Sequence, residues 1–80
     1  MNIELIEWID STGFTGWNKM EDVRGLKALH CRSIGYVLHE NDEALYISGS
    51  LDGQEGTSLR VMDALAIPKV AITSRRVIGA

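Results

Sequence analysis

The residues able to do chemistry in this chain are arginines, serines and aromatics. Arg75 and Arg76 stand side by side near the end. A guanidinium fork suits two oxygens of a phosphate or carboxylate. On a strand two neighbours must point to opposite faces, and the ordinary place of an arginine is solvent. Ser48-Gly49-Ser50 opens a glycine-rich stretch. Hydroxyls and glycine amides can hold an anion together, and the same residues also make plain turns. Trp17 follows two loop glycines, Gly13 and Gly16. It either packs under its loop as a hydrophobic lid or offers a flat face to a partner or a stacked base. Phe14 and Tyr36 are further aromatics suited to contact with a partner protein.

For catalysis the inventory is empty. His30 and Cys31 are neighbours, so on one strand they face opposite ways and cannot serve as base and nucleophile. Cys31 reads as a buried structural thiol. His39, beside Glu40, reads as a solvated histidine at a hairpin. Glu4 and Glu7 fall on opposite faces of a strand and form no acid/base pair. The glycines at 13, 16, 49 and 53 lack the Gly-x-x-x-x-Gly-Lys phosphate pattern. Neither histidine has partner cysteines at zinc spacing. The expectation is a non-enzymatic protein with no metal and no cofactor.

Those residues have little scaffold to stand on. Eighty residues make one domain, residues 1–80, which buries only about 60% of its unfolded surface. A single cysteine allows no internal disulfide. Extra stability at this size therefore points to self-association, a homo-oligomer. The 45% apolar content is that of a folded protein. A net charge of −3 opposes broad nucleic-acid binding. The apolar runs fall far short of the roughly 20 residues of a membrane span. The start, Met1-Asn2-Ile3-Glu4, lacks a signal-peptide pattern, so the expected location is cytoplasmic.

Ile3 to Ile9 reads as a strand from its β-branched and aromatic content, with helix as its rival, since Leu5, Trp8 and Ile9 also fit helical spacing. Trp8 is expected in the core. Asp10 to Trp17 is a loop. Asn18 to Lys27 is a short helix, with Asn18 and Glu21 as a capping box and Met20, Val23 and Leu26 facing the core. Leu29 to Glu40 is a strand, with Gly35 placed for a sharp bend. A polar turn at Asn41 to Glu43 returns it as Ala44 to Ser48. Gly49 to Thr57 is a second loop. Leu59 to Met62 is strand or loop edge, and Leu65 to Ile67 is a strand cut at Pro68. A 3₁₀ turn over Pro68 to Ala71 leads into a last strand, Ile72 to Ile78. Closing these strands into a barrel buries apolar residues of both parities and leaves no exposed sheet face.

The closing stretch from Leu65 to Ser74 resembles the end of SH3-like and Sm-like small barrels: short strand, one-turn helix, short strand. The expected fold is thus mostly β, a five-stranded barrel with one short helix. Most of the chain also resembles short proteins of bacteriophages and prophages. The matching residues are Trp8-Ile9-Asp10-Ser11, Trp17, Cys31 with Gly35, and Ile67-Pro68-Lys69. That resemblance implies an accessory protein in the bacterial host cytoplasm, with counter-defence as its implied role. Two functions are expected from it. One is sequestration of a small anionic ligand such as a nucleotide signal by Trp17, Ser48, Ser50, Arg75 and Arg76. The other is docking of a host protein on Phe14, Trp17 and Tyr36.

Overall fold

The computed structural model describes every residue except Glu55 and Thr57. In chain order the described elements are β1 (Ile3–Asp10), α1 (Met20–Val23), β2 (Leu29–Glu40), β3 (Ala44–Ser48), β4 (Ser50–Asp52), β5 (Arg60–Met62), β6 (Leu65–Pro68), a 3₁₀ turn (Lys69–Ala71) and β7 (Ile72–Gly79). The chain is mostly β. Five strands form one antiparallel sheet in the order β6-β3-β2-β1-β7, and β4 and β5 form a separate two-stranded ribbon.

Residues 3–9 are strand, not helix, because the alternating pattern lets both faces be used at once. Glu4, Ile6 and Trp8 point to the inner face, and Ile6 is wholly buried. Ile3 and Leu5 are only half-buried on the outer face. The core consists of Ile6, Leu45, Ile47 and Ile67, with Trp8, Val37 and Ile72 packed against it. Ile6 on β1 and Ile67 on β6 share this cluster although β2 and β3 lie between their strands. The sheet must therefore curl. Trp8 faces this core, and its indole N–H donates to Ser33 Oγ at 3.0 Å.

Gly35 permits the tightest part of the curl. A Cβ at this position would stand 3.0 Å from the Ser48 carbonyl oxygen and 3.3 Å from Ile47 Cβ. Just beyond it the β2–β3 register shifts between Val37 and His39. The expected alternation of Ile34, Tyr36 and Leu38 along one face ends at that irregularity. In the following turn Asn41 Oδ1 accepts the backbone N–H groups of Glu43 and Ala44, each at 2.9 Å. The 3₁₀ turn is tied to the same hairpin, with the Lys69 N–H donating to the Glu43 carbonyl at 2.8 Å.

Three expectations need correction. The sheet is not closed into a barrel, because no ladder joins β6 to β7. β6 has only four residues and ends in Pro68, which has no N–H to give, so its free side offers little for a second ladder. The helix is also shorter than the 18–27 expected. Asn18 does not cap it; its side-chain amide donates to the carbonyls of Thr15 and Gly16, both at 3.1 Å. Met20 and Val23 face solvent instead of the core, and Leu26 is half-buried.

The third correction concerns the expected loop over 49–57. Its first part is strand, since Ser50, Leu51 and Asp52 pair with Met62, Val61 and Arg60. The Arg60 guanidinium closes the ribbon onto the Asp52 carboxylate. Gly53, at φ +97°, turns the chain out of β4 in a conformation that favours glycine. Glu55 and Thr57 of that expected loop lie outside the described residues. The molecule is elongated, 52 × 24 × 20 Å.

Candidate functional site

Alternation along β7 divides Arg75 from Arg76. Arg75 stands opposite Ile6 and so faces inward, whereas Arg76 stands opposite Leu5 and faces outward. Arg75 is fully engaged. Its Nε and Nη2 donate to the two oxygens of Glu4 at 2.8 and 2.9 Å. Its Nη1 and Nη2 also donate to the two oxygens of Glu40, at 2.9 and 3.2 Å. Lys69 Nζ adds a 2.7 Å contact to Glu40 Oε2. The neighbouring strands β1 and β7, the far end of β2 and the 3₁₀ turn are thereby drawn together.

Charge compensation explains how Glu4 tolerates 5% exposure. The hydrogen bonds from Arg75 and Lys69 lower the Glu40 carboxyl from 4.5 to about 2. The same carboxylates, Glu4 foremost, raise the Arg75 guanidinium above its ordinary value. Arg76 makes no hydrogen bond or ion pair with any described residue.

Ser48 is buried and also committed. Its hydroxyl lies 3.0 Å from the Ser50 carbonyl and 2.6 Å from the Met62 carbonyl, and its oxygen accepts the Ser50 N–H at 3.3 Å. It thus pins both strands of the ribbon to the end of β3. Ser50 itself is exposed beside an open groove of about 470 Å³ lined by Leu51, Arg60, Val61 and Met62 among others.

Trp17 and Phe14 lie at the other end. β1 leaves the sheet at Asp10, opposite Leu29, and the aromatic segment follows. Trp17 is not a lid: it is completely exposed, at 104%, and Phe14 is 53% exposed. Together with Gly16, Asn18, Val23 and Leu26 they line a shallow groove of about 370 Å³. Among its described lining there is no cation. Tyr36 pairs with Ile3 and Ser48, at the ribbon end, where it is half-buried on the outer face. Within one chain, then, Trp17 and Phe14 come together, whereas Ser48, Ser50 and Tyr36 gather at the opposite end.

His30 and Cys31 face opposite sides of β2 as expected, and the Cys31 thiol is half-buried. His39 stacks at a tilt against Tyr46, ring centroids 5.5 Å apart. No group of three or more His, Cys, Asp or Glu able to hold a metal occurs among the described residues. No helix among them is long and apolar enough to cross a membrane. Sequence reasoning missed Glu4 and Lys69 as partners of an inward Arg75. The available signal was Glu4 on the parity of Ile6 and Trp8. The chain matches no family model, no curated protein and no solved structure.

Proposed function

We propose that this chain is a non-enzymatic interaction module that docks a partner protein on the Phe14–Trp17 segment. Complete exposure of Trp17 carries the reading. Leaving a tryptophan in water forgoes one of the largest burial gains a side chain can make, and large exposed aromatics are enriched where proteins meet. The groove beside it sets Phe14, Val23 and Leu26 next to Gly16 and Asn18, with no cation among its described lining. Nothing in the docking reading requires a base, a nucleophile or a metal.

The setting follows the resemblance to short phage proteins: an accessory protein, active in the bacterial host cytoplasm against a host target. The strand order supports an SH3-like or Sm-like plan, with a curled five-strand meander and the last strand returned to the first by a 3₁₀ turn. The plan is left open between its end strands. A homo-oligomer belongs to the same proposal.

A second reading, sequestration of a small anionic ligand such as a nucleotide, is favoured by Arg76. Its guanidinium faces outward and has no partner among the described residues, which leaves it to meet negative charge. Trp17 would supply a stacking face. Arg75 stays with Glu4 and Glu40 in either case.

One pair of measurements separates the two. Immobilised protein is offered a host lysate, any retained protein is identified and purified, and binding is repeated by calorimetry with wild type and Trp17→Ala. A purified partner whose binding is lost with Trp17→Ala, while the melting temperature is unchanged, supports docking. Binding indifferent to Trp17→Ala overturns it. A panel of cyclic nucleotides tests the second reading by melting, because a ligand at 100 times its Kd stabilises by about 2.7 kcal/mol. A rise that Arg76→Ala abolishes supports sequestration.

A further inference from the structure

A lone chain of this shape leaves too much surface in water. Its accessible area is 6183 Å², whereas a compact protein of 8.8 kDa exposes about 4,800 Å². The difference, about 1,400 Å² per chain, exceeds the roughly 800 Å² that each partner buries in a standard interface and falls in the range of obligate ones. The radius of gyration agrees, at 16.1 Å against about 12 Å for a compact chain of this length.

The two edges of the sheet are not alike. β6 is short and carries Pro68, which protects an edge against further pairing. β7 runs for eight residues without proline, with one side on β1 and the other unpaired. Of its two arginines, Arg75 is turned inward and neutralised by Glu4 and Glu40. Near its end Val77 and Ile78 are exposed, at 56% and 46%. A long edge without proline, on which Arg76 is the arginine left unpaired among the described residues, is a template for another strand.

We propose that two copies of this chain join antiparallel, β7 against β7, into one continuous sheet. The occupant is a second copy because the surface excess belongs to every chain, and an antiparallel joint between identical strands is self-complementary under two-fold symmetry. The joint also completes the binding surface proposed above, and rests on that reading for its function. The Ile72 end of β7 lies by Trp8, towards the aromatic segment, and the Gly79 end lies by Ile3, towards the ribbon. Antiparallel pairing sets each Ile72 end beside the other copy's Gly79 end. Each end of the dimer then presents Phe14 and Trp17 from one copy and the ribbon with Ser50 from the other.

Hydrogen exchange at amide resolution, with sedimentation on the same full-length sample, tests the joint. A lone edge strand protects only alternate amides, those bonded to β1; a strand paired on both sides protects consecutive ones. The expected result is twice the chain mass of 8.8 kDa with protection at successive amides from Thr73 to Val77. A monomer with alternating protection overturns the proposal, and so does a dimer that keeps the alternation. If the joint forms while partner binding ignores Trp17→Ala, the docking function alone fails. If the chain is monomeric yet Trp17→Ala abolishes binding, the joint alone fails.

Discussion

Replacing Arg75 with alanine should remove a large share of this protein's stability, and the reason lies in Glu4. The Glu4 side chain is 7% exposed and takes both strong hydrogen bonds from Arg75. Removing the guanidinium strands a buried carboxylate, which costs about 3–5 kcal/mol. The lower figure applies, since Arg75 is 31% exposed and water can enter where it stood. An 80-residue domain has only about 4–12 kcal/mol in all. At about 4–8 °C per kcal/mol, a loss of about 3 kcal/mol lowers the melting temperature by about 12–24 °C. Urea unfolding followed by circular dichroism, at one fixed protein concentration, measures the cost. The double variant Glu4→Leu/Arg75→Leu removes both charges and should recover most of it, because apolar replacement of a whole buried pair is often neutral or better. Two results would refute the reasoning: an Arg75→Ala cost under about 1 kcal/mol, as for a surface pair, or a double variant no better than the single one.

Acid should weaken the same cluster in a defined window. Glu40 titrates lower in the folded chain, near 2, than its ordinary 4.5. Its contribution is therefore complete above 4.5 and is lost as the pH falls from there towards 2. Melting temperatures from pH 6 to pH 2 should fall less steeply in Glu40→Gln than in wild type, and equal slopes would contradict this. At the bend, Gly35→Ala should destabilise by about 1–3 kcal/mol, the usual cost of forcing an extra methyl into a packed site. Its Cβ meets the Ser48 backbone at 3.0 Å, which cannot swing aside as a side chain would. A Gly35→Ala protein with wild-type urea stability would show that the β2–β3 approach relaxes freely.

Alternation and proline made most of the sheet readable. Ile3 to Ile9, Leu29 to Glu40, Ala44 to Ser48 and Ile72 to Ile78 all carry apolar β-formers bounded by turn residues, and each is a strand. Pro68 marked the end of β6 and the start of the 3₁₀ turn because its ring cannot continue a ladder. The helix was overread because a capping box needs a side-chain oxygen at the N-cap, and that position is Lys19; Asn18 lies one residue earlier and its side chain is turned back onto Thr15 and Gly16. Met20 and Val23 have helical spacing but no opposing surface within the chain. The ribbon was unreadable for a different cause. Three residues between glycines show no period, and β4 exists only because Arg60–Met62 returns to pair with it. Closure of the barrel depends on what the short free edge of β6, ended by Pro68, can offer β7, which apolar content along the chain does not encode.

Arg75 and Arg76 show where reading a site from sequence stops. They are the same residue type, adjacent, on one strand, and each is chemically fit to hold an anion. Period-two geometry assigns them to opposite faces but cannot say which face carries waiting carboxylates. That is set by β1 and β2, which bring Glu4 and Glu40 to the inner side from far away in the chain. The inner guanidinium is saturated by the protein itself and works as a brace. The outer one keeps its donors for solvent or a ligand. Arg76→Ala should leave urea stability within about 0.5 kcal/mol of wild type while Arg75→Ala loses about 3 kcal/mol, and equal losses would show that the two guanidiniums do not divide the work in this way.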